Sequence, residues 1–123
     1  DHVGSIDELL HLERMPGRWS YPRSRIRMLL LESIHPLAVE RLTDAGYQVE
    51  TERGALDEAA LIERLKGVQV LGVRSKTEVS RRAVESADRL MAVAAFCIGT
   101  NQIDLEASAE AGVAVFNAPY SNT

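Results

Sequence analysis

Cysteine is all but missing from this chain: Cys97 is the only one in 123 residues, so no internal disulfide can form and a reducing compartment is the default. Long apolar runs are missing too. None approaches the roughly 20 residues that a helix needs to cross a bilayer. The first residues, Asp1 to Leu12, are too acidic and too poor in apolar side chains for a signal peptide. The expectation is a cytoplasmic protein with no membrane contact. Positive charge is in deficit, with 14 Lys and Arg against 18 Asp and Glu, a formal net charge of -4. That balance argues against a general nucleic-acid surface and leaves room for a local basic pocket. The histidines His2, His11 and His35 have no metal-ligand spacing, so no metal is assigned. No sequence repeat is present, which excludes a solenoid.

What is there is an ordinary soluble composition, 46% apolar and 26% charged, at a length that supports one core. Residues 1–24 read as an N-terminal extension or arm, with Ile6 to Met15 as a short helix and Trp19 and Tyr21 available to pack on the body or on a partner subunit. Pro16, Gly17 and Pro22 interrupt any regular pattern there. From Arg25 the punctuation becomes regular. Ile26 to Leu31 is a nearly continuous apolar run, the signature of a strand covered on both faces. Pro36 suits the first turn of a helix that Gly46 ends. Tyr47 to Thr51 is a second strand, and Asp57 caps a helix that Gly67 ends. Val68 to Val73 is a third strand, followed by a helix over Ser80 to Ala87. Leu90 to Phe96 is a fourth strand, Asp104 the cap of a helix over Leu105 to Ala111, and Val113 to Phe116 a fifth strand.

Five strands alternating with four helices predict an α/β fold: an open, parallel, five-stranded sheet with helices on both faces, in the flavodoxin-like order 2-1-3-4-5. Ligands of such sheets bind beyond the carboxyl ends of the strands. The residues expected on that edge are Glu32 to His35, Arg74 to Thr77, Cys97 to Asn101 and Asn117 to Thr123. They supply two cations, several amide and hydroxyl donors, and a glycine, Gly99, where backbone can be approached closely. This edge reads as a receptor for a small anion carrying carboxylate or phosphate groups. Two other tenants of the fold are excluded. A phospho-receiver needs an aspartate after the third strand, where Arg74 has the wrong sign. A flavodoxin needs a hydroxyl- and glycine-rich loop after the first, which Glu32-Ser33-Ile34-His35 is not.

Three segments then carry a specific resemblance: Val73-Arg74-Ser75-Lys76-Thr77, Phe96-Cys97-Ile98-Gly99-Thr100-Asn101-Gln102-Ile103-Asp104, and Val115 to Thr123. In this order and spacing they resemble the D-isomer-specific 2-hydroxyacid dehydrogenases, and within them the phosphoglycerate dehydrogenases, over residues 25–123. The resemblance implies a substrate-binding domain for 3-phosphoglycerate, which the whole enzyme would oxidise to 3-phosphooxypyruvate with NAD in L-serine biosynthesis. Some relatives also reduce 2-oxoglutarate. It implies that Arg74, with Ser75, contacts the anionic groups and that Lys76 assists, as a point charge without a guanidinium fork. The amides around Ile98 and Gly99 would hold the carboxylate, and Asn122 would lie near the substrate. It also implies that NAD binds in a second domain through a G-x-G-x-x-G turn, which is absent here, and that the catalytic residues lie beyond Thr123. The chain by itself is then expected to be inactive, and the whole enzyme to be a homo-oligomer.

Blander readings stand beside these. Arg74 and Lys76 suit a solvated basic turn, Gly99 a simple turn, Cys97 a small buried side chain beside the loop, and His35 a structural place at a helix start. Arg81 and Arg82 suit an exposed helix face, and Asn117 and Pro119 the shaping of the last turn. The chain also suits a domain of a sibling dehydrogenase for another 2-hydroxy acid, or a stand-alone anion-binding or dimerisation module.

Overall fold

The computed structural model describes residues 3–10 and 23–118. Within them, β1 (Val3–Gly4), α1 (Ile6–Leu10), β2 (Arg27–Leu30), α2 (Pro36–Asp44), β3 (Gln48–Thr51), α3 (Glu58–Arg64), β4 (Val70–Val73), α4 (Arg81–Ser86), β5 (Ala92–Ala95), α5 (Leu105–Glu110) and β6 (Ala114–Asn117) follow in chain order. Every strand pair is parallel, and the sheet runs β1-β6-β5-β4-β2-β3.

Strand alternation divides the core in two. Met28, Leu30, Val70, Ala92 and Ala94 face one layer, where they meet Leu9 of α1 and Ala38 and Leu42 of α2. Leu29, Leu71, Val73, Val93 and Ala95 face the other, against Leu61 of α3 and Ala83 and Val84 of α4. A fully buried leucine such as Leu71 contributes about 1.5–3 kcal/mol. Both faces being covered is why these strands read as continuous apolar runs.

Each turn is locally determined. The Asp57 and Asp104 carboxylates accept from the Ala60 and Ala107 amides at 2.9 Å, and Ser80 Oγ accepts from the Ala83 amide at 3.2 Å. His35 Nδ1 accepts from the Leu37 amide at 3.0 Å, which places it at the start of α2 as expected. After α2, and again after the turns closing α3 and α5, Gly46, Gly67 and Gly112 take positive φ angles of 106°, 77° and 76°.

The sheet corrects one expectation: it has six strands, not five. The order 2-1-3-4-5 is present intact as β3-β2-β4-β5-β6, and β1, from the segment read as an arm, adds to the far edge through Val3 and Gly4 beside Val115 and Phe116. A two-residue strand is too short to show a period. Its glycine is required by packing, since a Cβ on Gly4 would lie 2.5 Å from Phe116 Cδ1. The helix expected over Ile6 to Met15 is seen as α1. It is started by a reciprocal box in which Ser5 N–H donates to Glu8 Oε1 at 2.9 Å and Glu8 N–H donates to Ser5 Oγ at 3.3 Å. The rest of that segment, with Trp19 and Tyr21, lies outside the described residues.

Candidate anion-binding site

The carboxyl ends of β2, β3, β4 and β5 open on one edge and form two adjoining hollows. The larger, of about 480 Å³, lies between the loops after β4 and β5 and is lined by Arg74, Ser75, Cys97, Ile98, Gly99 and Gln102, among others. The smaller, of about 350 Å³, lies between the loops after β2, β3 and β4 and is lined by Glu32, Ser33, Arg53, Arg74, Ser75 and Lys76, among others. Arg74 and Ser75 belong to both.

The structure therefore brings Arg74, Ser75, Ile98 and Gly99 around one space and sets Lys76 in the neighbouring one. Asn122 lies outside the described residues. Cys97, expected as a small buried side chain beside the loop, is half-buried, packed against the core layer on one side and lining the larger hollow on the other. Its thiol donates to the Gly99 carbonyl at 3.1 Å. Asn117 Nδ2 donates to the carbonyls of Ala95 at 3.2 Å and Cys97 at 2.8 Å, which ties the end of β6 to the end of β5; Pro119 lies outside the described residues.

Arg27, Arg64, Lys66, Arg81 and Arg82 each pair with a glutamate. Among the described residues, Arg53, Arg74 and Lys76 on this edge form no ion pair with a carboxylate, and neither does Arg25 away from it; what sets the three apart is that they line one hollow. The amides of Ile98 and Gly99 likewise donate to nothing else among the described residues. Ile98 is 82% exposed at the lip. No atom lies within 4 Å of where a Cβ on Gly99 would sit, and its φ is not in the left-handed region, so neither packing nor backbone requires glycine here.

Two side chains hold the Arg74 loop. Gln102 Nε2 donates to the Arg74 carbonyl at 2.6 Å, and the loop is stitched further to the β5 loop by Val79 N–H on the Gln102 carbonyl at 2.8 Å. On the other side Glu32, only 7% exposed, accepts from the backbone amides of Arg74 and Lys76 at 2.9 Å and of Thr77 at 3.0 Å. Arg53 and the role of Glu32 escaped the sequence reading. The bonds to Glu32 join positions 42 to 45 residues apart, so no local pattern announces them. The available signal was a charged residue ending an otherwise apolar strand.

Burial by itself would push the Glu32 carboxyl up. The amides of Lys76 and Arg74, with the Thr77 hydroxyl and amide, outweigh it and hold the group below its ordinary 4.5. The linkage sign follows: with the folded value depressed, Glu32 adds stability above the unfolded value, and that share is lost as pH falls through the folded value. Urea unfolding of the native chain and of Glu32→Gln, from pH 6 down to about pH 3, is expected to show their stability difference shrinking below pH 4.5. A difference independent of pH would contradict the assignment.

Comparison with known proteins agrees with this architecture. The family model for the catalytic domain of D-isomer specific 2-hydroxyacid dehydrogenases matches residues 28–123. The chain is 45% identical over 104 residues to D-3-phosphoglycerate dehydrogenase of Dictyostelium discoideum and 44% identical over 105 residues to that of Escherichia coli K12, in each case across 85% of this chain and 26% of the relative. It thus spans about a quarter of the length of these relatives. The solved structure of NAD+-bound 3-phosphoglycerate dehydrogenase from Entamoeba histolytica superposes with a TM-score of 0.64 at 22% identity, over 75% of this chain and 32% of that one, a likeness of fold. With a parallel sheet of the same kind and a family match over most of its length, the chain belongs to the D-isomer specific 2-hydroxyacid dehydrogenases, as part of their catalytic domain.

Proposed function

We propose that this chain is the substrate-binding domain of an NAD-dependent D-3-phosphoglycerate dehydrogenase, which oxidises 3-phosphoglycerate to 3-phosphooxypyruvate in L-serine biosynthesis. The observation that carries the reading is the pair of hollows sharing Arg74, with three cations free of carboxylate partners among the described residues. A phosphorylated 2-hydroxy acid has two anionic ends. Its carboxylate suits the larger hollow, where the Ile98 and Gly99 amides and the Arg74 fork converge, and its phosphate suits the smaller, beside Arg53 and Lys76. Ser75, at the rim of both, and Asn122 complete the set. The relatives at 44 and 45% identity bear the name of that enzyme.

NAD belongs to the whole enzyme in this reading. The residues here do not fit its pyrophosphate: the turn after β2 carries the buried Glu32 carboxylate where a dinucleotide needs glycine and helix amides. The chain alone is accordingly inactive. Residues 25–123 form the substrate-binding unit and residues 1–24 an extension of it, within a cytoplasmic homo-oligomer.

Calorimetric titration of the chain tests the reading. 3-Phosphoglycerate is expected to bind at least about 10-fold more tightly than glycerate, lactate or 2-hydroxyglutarate, since a charged contact is worth about 1.5–3 kcal/mol. NAD is expected to bind undetectably, and NAD with 3-phosphoglycerate to yield no NADH. Glycerate or lactate binding as tightly as 3-phosphoglycerate would move the assignment to a sibling dehydrogenase. Indifference to every hydroxy acid would favour the stand-alone module.

A further inference from the structure

We propose that Glu32, together with Ser33, is the positioning residue of this site: a clip that sets the spacing of the two cation-bearing loops through the backbone groups it binds. The proposal rests on the reading of the edge as a receptor for a phosphorylated acid and says what holds that receptor in shape.

The clip has two jaws. One is the Glu32 carboxylate, whose Oε2 accepts from the Arg74 and Thr77 amides and whose Oε1 accepts from the Lys76 amide, all between 2.9 and 3.0 Å. Three backbone donors converging on one anion form a nest, here filled by the protein's own side chain. The other jaw grips the loop after β3. Glu32 N–H donates to the Gly54 carbonyl at 3.2 Å, Ser33 N–H to the Glu52 carbonyl at 3.1 Å, and Ser33 Oγ to the Arg53 carbonyl at 2.9 Å. Six hydrogen bonds from two consecutive residues thus tie the segment carrying Arg53 to the segment carrying Arg74 and Lys76.

The backbone between the jaws is strained. Glu32 and Ser33 stand at φ 66° and 51°, the only non-glycine residues in the left-handed region among those described. Such a conformation persists where surrounding structure over-determines it, and it concentrates at functional sites. A glycine would relieve the strain at Glu32 but could not supply the carboxylate. Electrostatics points the same way. Arg53, Arg74 and Lys76 surround one hollow and repel each other. Glu32 places a negative charge in the same wall, with both of its oxygens committed to amides, so it offsets the cations without pairing with any of their side chains.

Glu32→Gln tests this, because it keeps shape and removes charge: one end of the amide can still accept, while its NH2 end opposes a backbone donor. The 123-residue chain is titrated with 3-phosphoglycerate well below its unfolding midpoint, beside Val84→Ala as a control that lowers stability from the α4 layer, away from both loops. Glu32→Gln is expected to weaken binding at least about 10-fold, and Glu32→Asp, which keeps charge but loses reach, to recover only part. Val84→Ala is expected to bind like the native chain. Amide exchange supplies a ligand-free readout, with Arg74, Lys76 and Thr77 exchanging faster in Glu32→Gln and the β5 amides unchanged. Native-like affinity in folded Glu32→Gln, an equal loss of affinity in Val84→Ala, or unchanged exchange at those three amides would each overturn the clip. If the native chain binds no phosphorylated acid, the reading of the edge as that receptor fails instead, and the amide exchange still decides whether Glu32 holds the loops.

Discussion

Replacing Gly72 with valine is expected to destabilise the domain by about 3 kcal/mol, the upper end of what overpacking a close-packed core costs. Gly72 lies in a row that crosses the sheet as Leu30, Gly72, Ala94, Phe116 and Gly4, with large side chains separated by small or absent ones. A Cβ at Gly72 would meet Leu30 Cδ2 at 2.5 Å, Phe96 Cε1 at 2.9 Å and Ile34 Cδ1 at 3.2 Å. All three neighbours are buried, so they can yield only by disturbing the layer beneath α2. Valine adds two further carbons to that collision. Gly54, with nothing within 4 Å of its Cβ position, is the control, and Gly54→Ala is expected to change stability by less than about 0.5 kcal/mol. Thermal unfolding checks both, because 3 kcal/mol in a domain of this size corresponds to roughly 10 °C. A melting point for Gly72→Val within about 2 °C of the native chain would show that Leu30 and Phe96 repack freely.

Arg74→Ala carries the largest expected effect on binding, a loss of about 30-fold or more in affinity for 3-phosphoglycerate, on the order of 2 kcal/mol. Arg74 is the one cation shared by both hollows, and no carboxylate holds its guanidinium among the described residues. Its backbone is fixed independently, by Glu32 at the amide and Gln102 at the carbonyl. Truncating the side chain therefore leaves the loop in place, and stability is expected to change by no more than about 0.5 kcal/mol. Arg74→Lys, which keeps the charge and loses the fork, is expected to recover only part of the affinity. Gly99→Val probes the same hollow from the other side. It adds carbon to open space, so folding should be unaffected while the approach of a carboxylate to the Ile98 and Gly99 amides is obstructed. Unchanged titration curves for both Arg74→Ala and Gly99→Val would remove the larger hollow from the site.

How much of this was legible beforehand depended on how far apart the interacting residues lie. The caps Asp57 and Asp104, and the glycines Gly46, Gly67 and Gly112, act within a few positions of themselves, so spacing revealed them. The Ser5 and Glu8 box was equally local and was there to be read, three residues apart ahead of Leu9. Gly4 and Gly72 were not legible, since each is required by side chains distant in sequence, Phe116 over Gly4 and Leu30 with Phe96 over Gly72, that only the assembled sheet brings close.

The order of elements, the doubly covered parallel sheet and the loops that meet at its carboxyl edge were determined by the sequence itself. Apolar period, caps and stops are encoded over short stretches, and the handedness of the crossovers does the rest. The tertiary structure alone decided that residues near the N-terminus add a sixth strand. It alone placed Arg53 beside Lys76, and it alone spent the Glu32 carboxylate on amides 42 to 45 positions away. Those outcomes depend on which side chains and backbone donors share a neighbourhood once the sheet is assembled, which the order of residues along the chain does not show until it folds.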